Sequence, residues 1–130
     1  MPTAAQALER LSHSRFRSSF HLGQKDLDYL AEKGSETIRR HAEDFVRMKL
    51  APAEPPNDGK QTPMSGHPVF KAMHATACCC RGCLAKWYHV PQHRELTGPE
   101  QEAIVRLLMA WIAAQTGQKK EASSASRKEE

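Results

Sequence analysis

The sequence predicts an all-α fold: a single compact domain of about five helices, with a long Pro/Gly-rich loop over a Cys/His cluster. Three observations carry this. Apolar residues recur at helical spacing in two long segments, about 35–50 and 99–115. Helix start and stop signals bracket those segments. No stretch reads convincingly as a strand. With 130 residues the chain holds one domain and one modest core, and is too short for two independent catalytic domains. Apolar residues make up 39% and aromatic residues 6%, so the core must come mostly from Leu, Ile, Val, Ala and Met.

Residues 1–13 read as a partly disordered extension, able to form a short helix with few apolar contacts around Ala5, Leu8 and Leu11. The domain is expected over 14–117. It begins with Arg15, Phe16, Arg17 and Phe20, an alternation that can cradle a phosphate chain or tuck its rings into a core. Gln24–Lys33 predicts a helix with Leu27, Leu30 and Ala31 inward, ended by Gly34. Ser35 then opens a helix to about Leu50. Ile38, Ala42, Phe45 and Val46 form its inner stripe, and Arg39–Glu43, Arg40–Asp44 and Glu43–Arg47 face each other at i+4. His41 lies on the inner side, where a histidine is either hydrogen-bonded core or a ligand.

The segment 51–66, APAEPPNDGKQTPMSG, has four prolines and two glycines, which exclude a helix or a central strand. Asn57-Asp58-Gly59 is a turn signal. Asp58, Lys60, Gln61 and Thr62 are the candidate ligand contacts there. Pro68 opens a short helix to Thr76, and another runs from Cys79 to about His89, before Pro91. Thr97-Gly98-Pro99-Glu100 is a capping box that starts the last helix, with Ile104, Val105, Leu108, Trp111 and Ile112 inward and Gly117 at its end. The charged tail 118–130 offers no core residue beyond alanine and is expected to be disordered.

The chemistry concentrates between His67 and His93. All four cysteines lie within six residues, flanked by four of the seven histidines. Zinc needs four soft or borderline ligands, and close-set pairs close such a site most easily. Cys80 and Cys83 form one pair, with Gly82 to turn the backbone and Arg81 to favour thiolates. If 67–78 were one helix, His67, His74 and Cys78 would share a side. The preferred set is His67, His74, Cys80 and Cys83, with Cys79 and His89 as alternates. An iron–sulfur cluster fits less well, because three consecutive sulfurs cannot converge without contorting the backbone. The Cys80–Cys83 spacing also suits a thiol redox switch, although the βαβ context of such motifs is absent. The remaining readings are a thiolate–His74 or –His89 pair oriented by Asp58, and cysteines that simply fill space.

Two functions compete. In the first, zinc pins the long loop to the helices of a binding or structural module. In the second, a metal with one open position hydrolyses a phosphate ester or nucleic acid, with Asp58 or His41 as base and Lys60 or Arg81 on the phosphate. Ligand count separates them. A third reading is nucleic-acid binding through Arg15, Arg17, Lys71 and Arg81, which the net charge of +4 permits. No apolar run approaches the ~20 residues that span a bilayer, and no secretory signal is evident, so a cytoplasmic location is expected.

SRFRSSFHL, IRRHAEDFV, NDGKQTPMSGHPVF, HATACCCRGCLAKW and ELTGPEQEAIVRLLMAWI together resemble a small bacterial family known only as a domain of unknown function, family 4186. The resemblance spans about 14–115 and is most specific over Asn57–Trp87. It implies a bacterial cytoplasmic protein that is nearly all domain, and brings no activity, substrate or fold. The family pattern commonly has Thr at the first position of the cysteine run, so the resemblance makes Cys78 the least suited of the four as a ligand.

Overall fold

The computed structural model describes residues 1–116; the tail beyond them, including the expected stop at Gly117, lies outside the described residues. The described residues contain seven helices and no strand. The all-α expectation holds, and two short N-terminal helices account for the excess over five.

The last helix, α7 (Gly98–Gln115), is the centre of the fold. Thr97 and Glu100 cap it reciprocally, and Ile104, Val105, Leu107, Leu108, Trp111 and Ile112 are buried along it. Leu107 widens the expected stripe, because α1, α4 and α5 all pack against α7. Arg94 grips Glu100 with two bonds of 2.8 and 2.7 Å, which holds the Glu100 carboxyl at about 2, well below its ordinary 4.5. That contribution to stability is complete above about pH 4.5 and is lost as the pH falls towards 2. Glu100→Gln is therefore expected to cost about 1 kcal/mol at neutral pH and to flatten the acid limb of stability. Urea titrations between pH 7 and 2 measure both.

The helix α4 (Ser35–Phe45) continues into a single π turn, Val46–Leu50, closed by a 2.9 Å bond from Ala51 N–H to the Val46 carbonyl. Ile38, Ala42, Val46 and Leu50 are all fully buried. A repeat of four drifts by about 40° per step on a regular helix. The wider π turn brings Leu50 back onto the stripe. Phe45 is only half-buried. On the outer face the close pairs are Glu36–Arg40 and Asp44–Arg47, rather than the three expected.

The short helix anticipated in the N-terminal extension is α1 (Ala4–Leu11), capped by Thr3 and Gln6. Ala7 and Leu11 are buried, and the helix lies on α7. One turn, α2 (Arg15–Ser18), follows. The next helix, α3 (Gln24–Lys33), has no fully buried residue; Leu27 and Leu30 are half-covered and Ala31 is exposed. The two helices of the cysteine region are α5 (Pro68–Ala75) and α6 (Arg81–Tyr88). No described helix is long and apolar enough to cross a membrane.

Candidate metal centre

The cysteine run links the end of α5 to the start of α6. Thr76 ends α5, and Ala77 turns the chain with a φ of 61°. That left-handed conformation costs a non-glycine residue about 1 kcal/mol. It is offset by a 2.8 Å bond from Cys78 N–H to the Met73 carbonyl and by the Tyr88 hydroxyl, which donates to the Thr76 carbonyl. Cys78 is fully buried, its thiol directed at the Thr76 carbonyl, and burial pushes it up to about 12. It therefore packs as a small apolar residue.

The other three cysteines converge. The Sγ atoms of Cys79, Cys80 and Cys83 all lie within 4.8 Å of one another. Cys79 and Cys83 are hydrogen-bonded, their sulfurs 3.6 Å apart. Cys80 is the N-cap of α6, and its sulfur accepts the Cys83 N–H at 3.3 Å. The first turn of a helix thus faces the sulfurs, where its dipole favours negative charge. Cys79 is more than the alternate to Cys80 and Cys83: it is an equal member of the group.

Arg17 completes the cluster. Its guanidinium reaches Cys83 Sγ at 3.3 Å, Cys79 Sγ at 3.7 Å and the His74 carbonyl at 2.6 Å. Burial opposes the Arg17 charge, and the bonds to the two sulfurs outweigh it, raising its pKa. The hydrogen bond shared with Cys83, followed by Arg17, lowers Cys79 to about 7 despite its burial. Cys83 is pushed up because it retains the shared proton, and Cys80 is raised by burial.

The expected histidines lie elsewhere. His67 is not in a helix with His74; it is the N-cap of α5, and its Nδ1 accepts the Val69 N–H at 3.0 Å. In the neutral ring the proton is then on Nε2, which meets His41 Nδ1 at 3.0 Å. Neither ring nitrogen of His67 is left free for a metal. Tyr29, Phe45 and Phe70 surround the pair. Burial, and then His41, lower His67 to about 4, against a smaller opposing pull from Asp26. A histidine held neutral in the fold contributes stability above about pH 6.5, and this is lost as the pH falls towards 4. We expect on the order of 2 kcal/mol of acid sensitivity from this group, absent in His67→Asn, when unfolding is followed across that window.

His74 stays closer to the cysteines. Its Nε2 meets the Thr62 carbonyl at 3.0 Å, and the Thr62 hydroxyl donates to the Cys79 carbonyl at 2.8 Å. Its ring stacks on Phe20. His89 is exposed at the far end of α6, where it is the left-handed C-cap residue, away from the cysteine group. Among the described residues no histidine or carboxylate enters the cysteine group.

The candidates for phosphate chemistry do not assemble. Asp58 Oδ1 accepts the Arg81 N–H at 3.0 Å and the Gln61 amide at 2.8 Å, so it caps α6. Lys60 is exposed in the preceding turn, and His41 belongs to the His67 pair. Lys71 is paired with Asp26 at 2.8 Å, and Arg17 and Arg81 are buried, which leaves Arg15 alone in solvent. Arg81 points away from the sulfurs. It is 1% exposed and donates to the carbonyls of Leu50 (3.1 Å), Pro52 (2.8 Å), Pro91 (2.6 Å) and Arg94 (2.8 Å), while its Nε has no partner among the described residues. These carbonyls lie on the irregular segments either side of the cluster, and Arg81 ties them together. The roles of Arg17 and Arg81 were invisible in the sequence because their partners are remote backbone groups and sulfurs.

Fold and site define a small all-helical protein with three convergent cysteines able to hold a metal ion. The chain belongs to the family described as Domain of unknown function (DUF4186), which matches residues 5–113 and so begins within α1. No solved structure matches it.

Proposed function

We propose that this is a metal-binding protein in which Cys79, Cys80 and Cys83 hold a zinc ion that fixes the loop 51–66 to the helical core. The observation that carries this reading is the convergence of three sulfurs within 4.8 Å. Zinc–sulfur bonds of 2.3 Å in a tetrahedron set sulfurs about 3.8 Å apart, and Cys79 and Cys83 lie at 3.6 Å. Three thiolates around a divalent ion leave one net negative charge. Arg17 and the α6 N-terminus offset it. Asp58 and Thr62 already tie the loop to the cysteine segment, so an ion there would reinforce the same joint.

Three thiolates leave one position of a tetrahedron. His74 is the expected histidine whose ring is tied to the cysteine segment, its Nε2 bonded to the Thr62 carbonyl and the Thr62 hydroxyl to the Cys79 carbonyl, and we assign its Nδ1 the fourth position. Elemental analysis of purified protein is expected to find about one zinc per chain, and little in Cys79→Ser, Cys80→Ser or Cys83→Ser. His74→Ala is expected to bind more weakly; full retention there would give the fourth position to solvent. Native protein without stoichiometric metal would refute the whole reading.

A further inference from the structure

The hydrogen-bonded pair Cys79 and Cys83 can do something that a merely structural metal site need not. We propose that Cys79 and Cys83 are a peroxide-sensitive dithiol, whose oxidation to a disulfide expels the bound metal and releases Arg17. The disulfide stands on geometry alone; only the metal release rests on the zinc reading.

The two sulfurs are 3.6 Å apart, so about 1.5 Å of closure makes the bond. Cys83 is part-exposed and Cys79 is 8% exposed, which gives a small oxidant a way in. Arg17 donates to both sulfurs and stabilises a thiolate on either. Cys80 differs, because its sulfur caps α6 by accepting the Cys83 N–H, and Arg17 directs its hydrogen bonds to the other two sulfurs. Cys78 is sealed in the core.

The oxidant is hydrogen peroxide or an organic hydroperoxide. One thiolate of the pair attacks a peroxide oxygen. The O–O bond breaks, the sulfur becomes a sulfenic acid, and the leaving alkoxide or hydroxide takes a proton. The second thiolate attacks that sulfur, the S–S bond forms, and hydroxide departs as water. Two thiols lose two electrons, and the peroxide becomes water plus water or alcohol. The disulfide sulfurs are neutral and poor ligands, so the ion loses two thiolates at once. Arg17 loses two of its three acceptors and keeps the His74 carbonyl, in a site that is 9% exposed. A buried cation left with one hydrogen-bond acceptor and the face of the Phe16 ring is unfavourable, so α2 is expected to loosen.

The experiment uses the full chain, reduced and metal-free, treated with one equivalent of hydrogen peroxide. Free thiols are then alkylated and the linkages mapped by mass spectrometry. The expected result is a loss of two hydrogens in the intact mass, with Cys79 joined to Cys83 and Cys80 alkylated. Cys80→Ser should keep the disulfide, and Cys79→Ser and Cys83→Ser should each lose it. A Cys80–Cys83 link, links between chains, or loss of the disulfide in Cys80→Ser would overturn the assignment. Zinc-loaded protein should release its ion to a chromogenic chelator as the disulfide forms. Oxidised protein should exchange amide hydrogens faster over residues 14–20, and unchanged exchange there would sink the coupling to Arg17. If the protein takes up no zinc yet forms the Cys79–Cys83 bond, the metal reading alone falls.

Discussion

Arg81→Met is expected to destabilise the protein by about 3–5 kcal/mol, a large fraction of the stability of a domain this size. The guanidinium is a buried charge that forms no salt bridge among the described residues, and its two terminal nitrogens donate to four carbonyl oxygens from residues 50, 52, 91 and 94. Methionine fills a similar volume but donates nothing. The acceptor on buried Leu50 is then stranded, and those on the part-buried segments at Pro52, Pro91 and Arg94 lose a charged donor, together costing several times about 1 kcal/mol. Arg81→Lys is the informative companion. An ammonium has three donors at one point and cannot span four carbonyls arranged for a planar fork, so it should recover less than half of the loss. Urea midpoints at constant m-value give both numbers. A loss below 1 kcal/mol in Arg81→Met would mean that the carbonyls find other donors and that this residue is not the joint it resembles.

The second large effect is the response to zinc. If the trio holds the ion in the folded state alone, free zinc at a thousand times its dissociation constant adds about 4 kcal/mol. For a domain of this size that corresponds to a rise in Tm on the order of 10 °C. Chelation should return the protein to its metal-free Tm. The three single cysteine-to-serine variants should show no such rise, while Cys78→Ala should keep it, because that thiol lies outside the group. A zinc response that survives in Cys79→Ser would restore the ligand pair first suggested by Cys80-x-x-Cys83.

The helical frame was legible because it depends on local signals. The Ile38–Ala42–Val46 spacing and the Thr97–Glu100 box each act within a turn or two, and both stand in the structure. The site was legible in outline only. Proximity in sequence marked the cysteines, but the choice of histidines relied on a helix running through 67–78. That helix begins at Pro68 and ends at Ala75. His67 is therefore a cap outside it, facing Val69 and His41, and the argument from helical spacing does not apply to it. Arg17 meets the sulfurs from more than sixty residues away, and Arg81 is buried although it carries a charge. No pattern of apolar periodicity reports a guanidinium that folds inward onto backbone oxygens. The helix α1 was underrated for a related reason: Ala7 and Leu11 are a small apolar face, adequate only because α7 is there to receive it.

The π turn at Val46–Leu50 also fixes how the chain can change length. It behaves as one residue inserted into the end of α4. Deleting a residue within it would yield a better helix by local criteria, with i→i+4 bonds throughout. It would also rotate everything downstream by about 100° and draw it back about 1.5 Å. The Leu50 and Pro52 carbonyls would then swing away from Arg81, and Ala51 would lose its 2.9 Å contact with the Leu96 N–H. The irregular turn thus behaves as a length gauge: the number of residues between Ile38 and Pro52 is set by the arginine on the other side of the loop. Insertions are better tolerated in the exposed stretch Asn57–Lys60, provided Asp58 still reaches the first turn of α6.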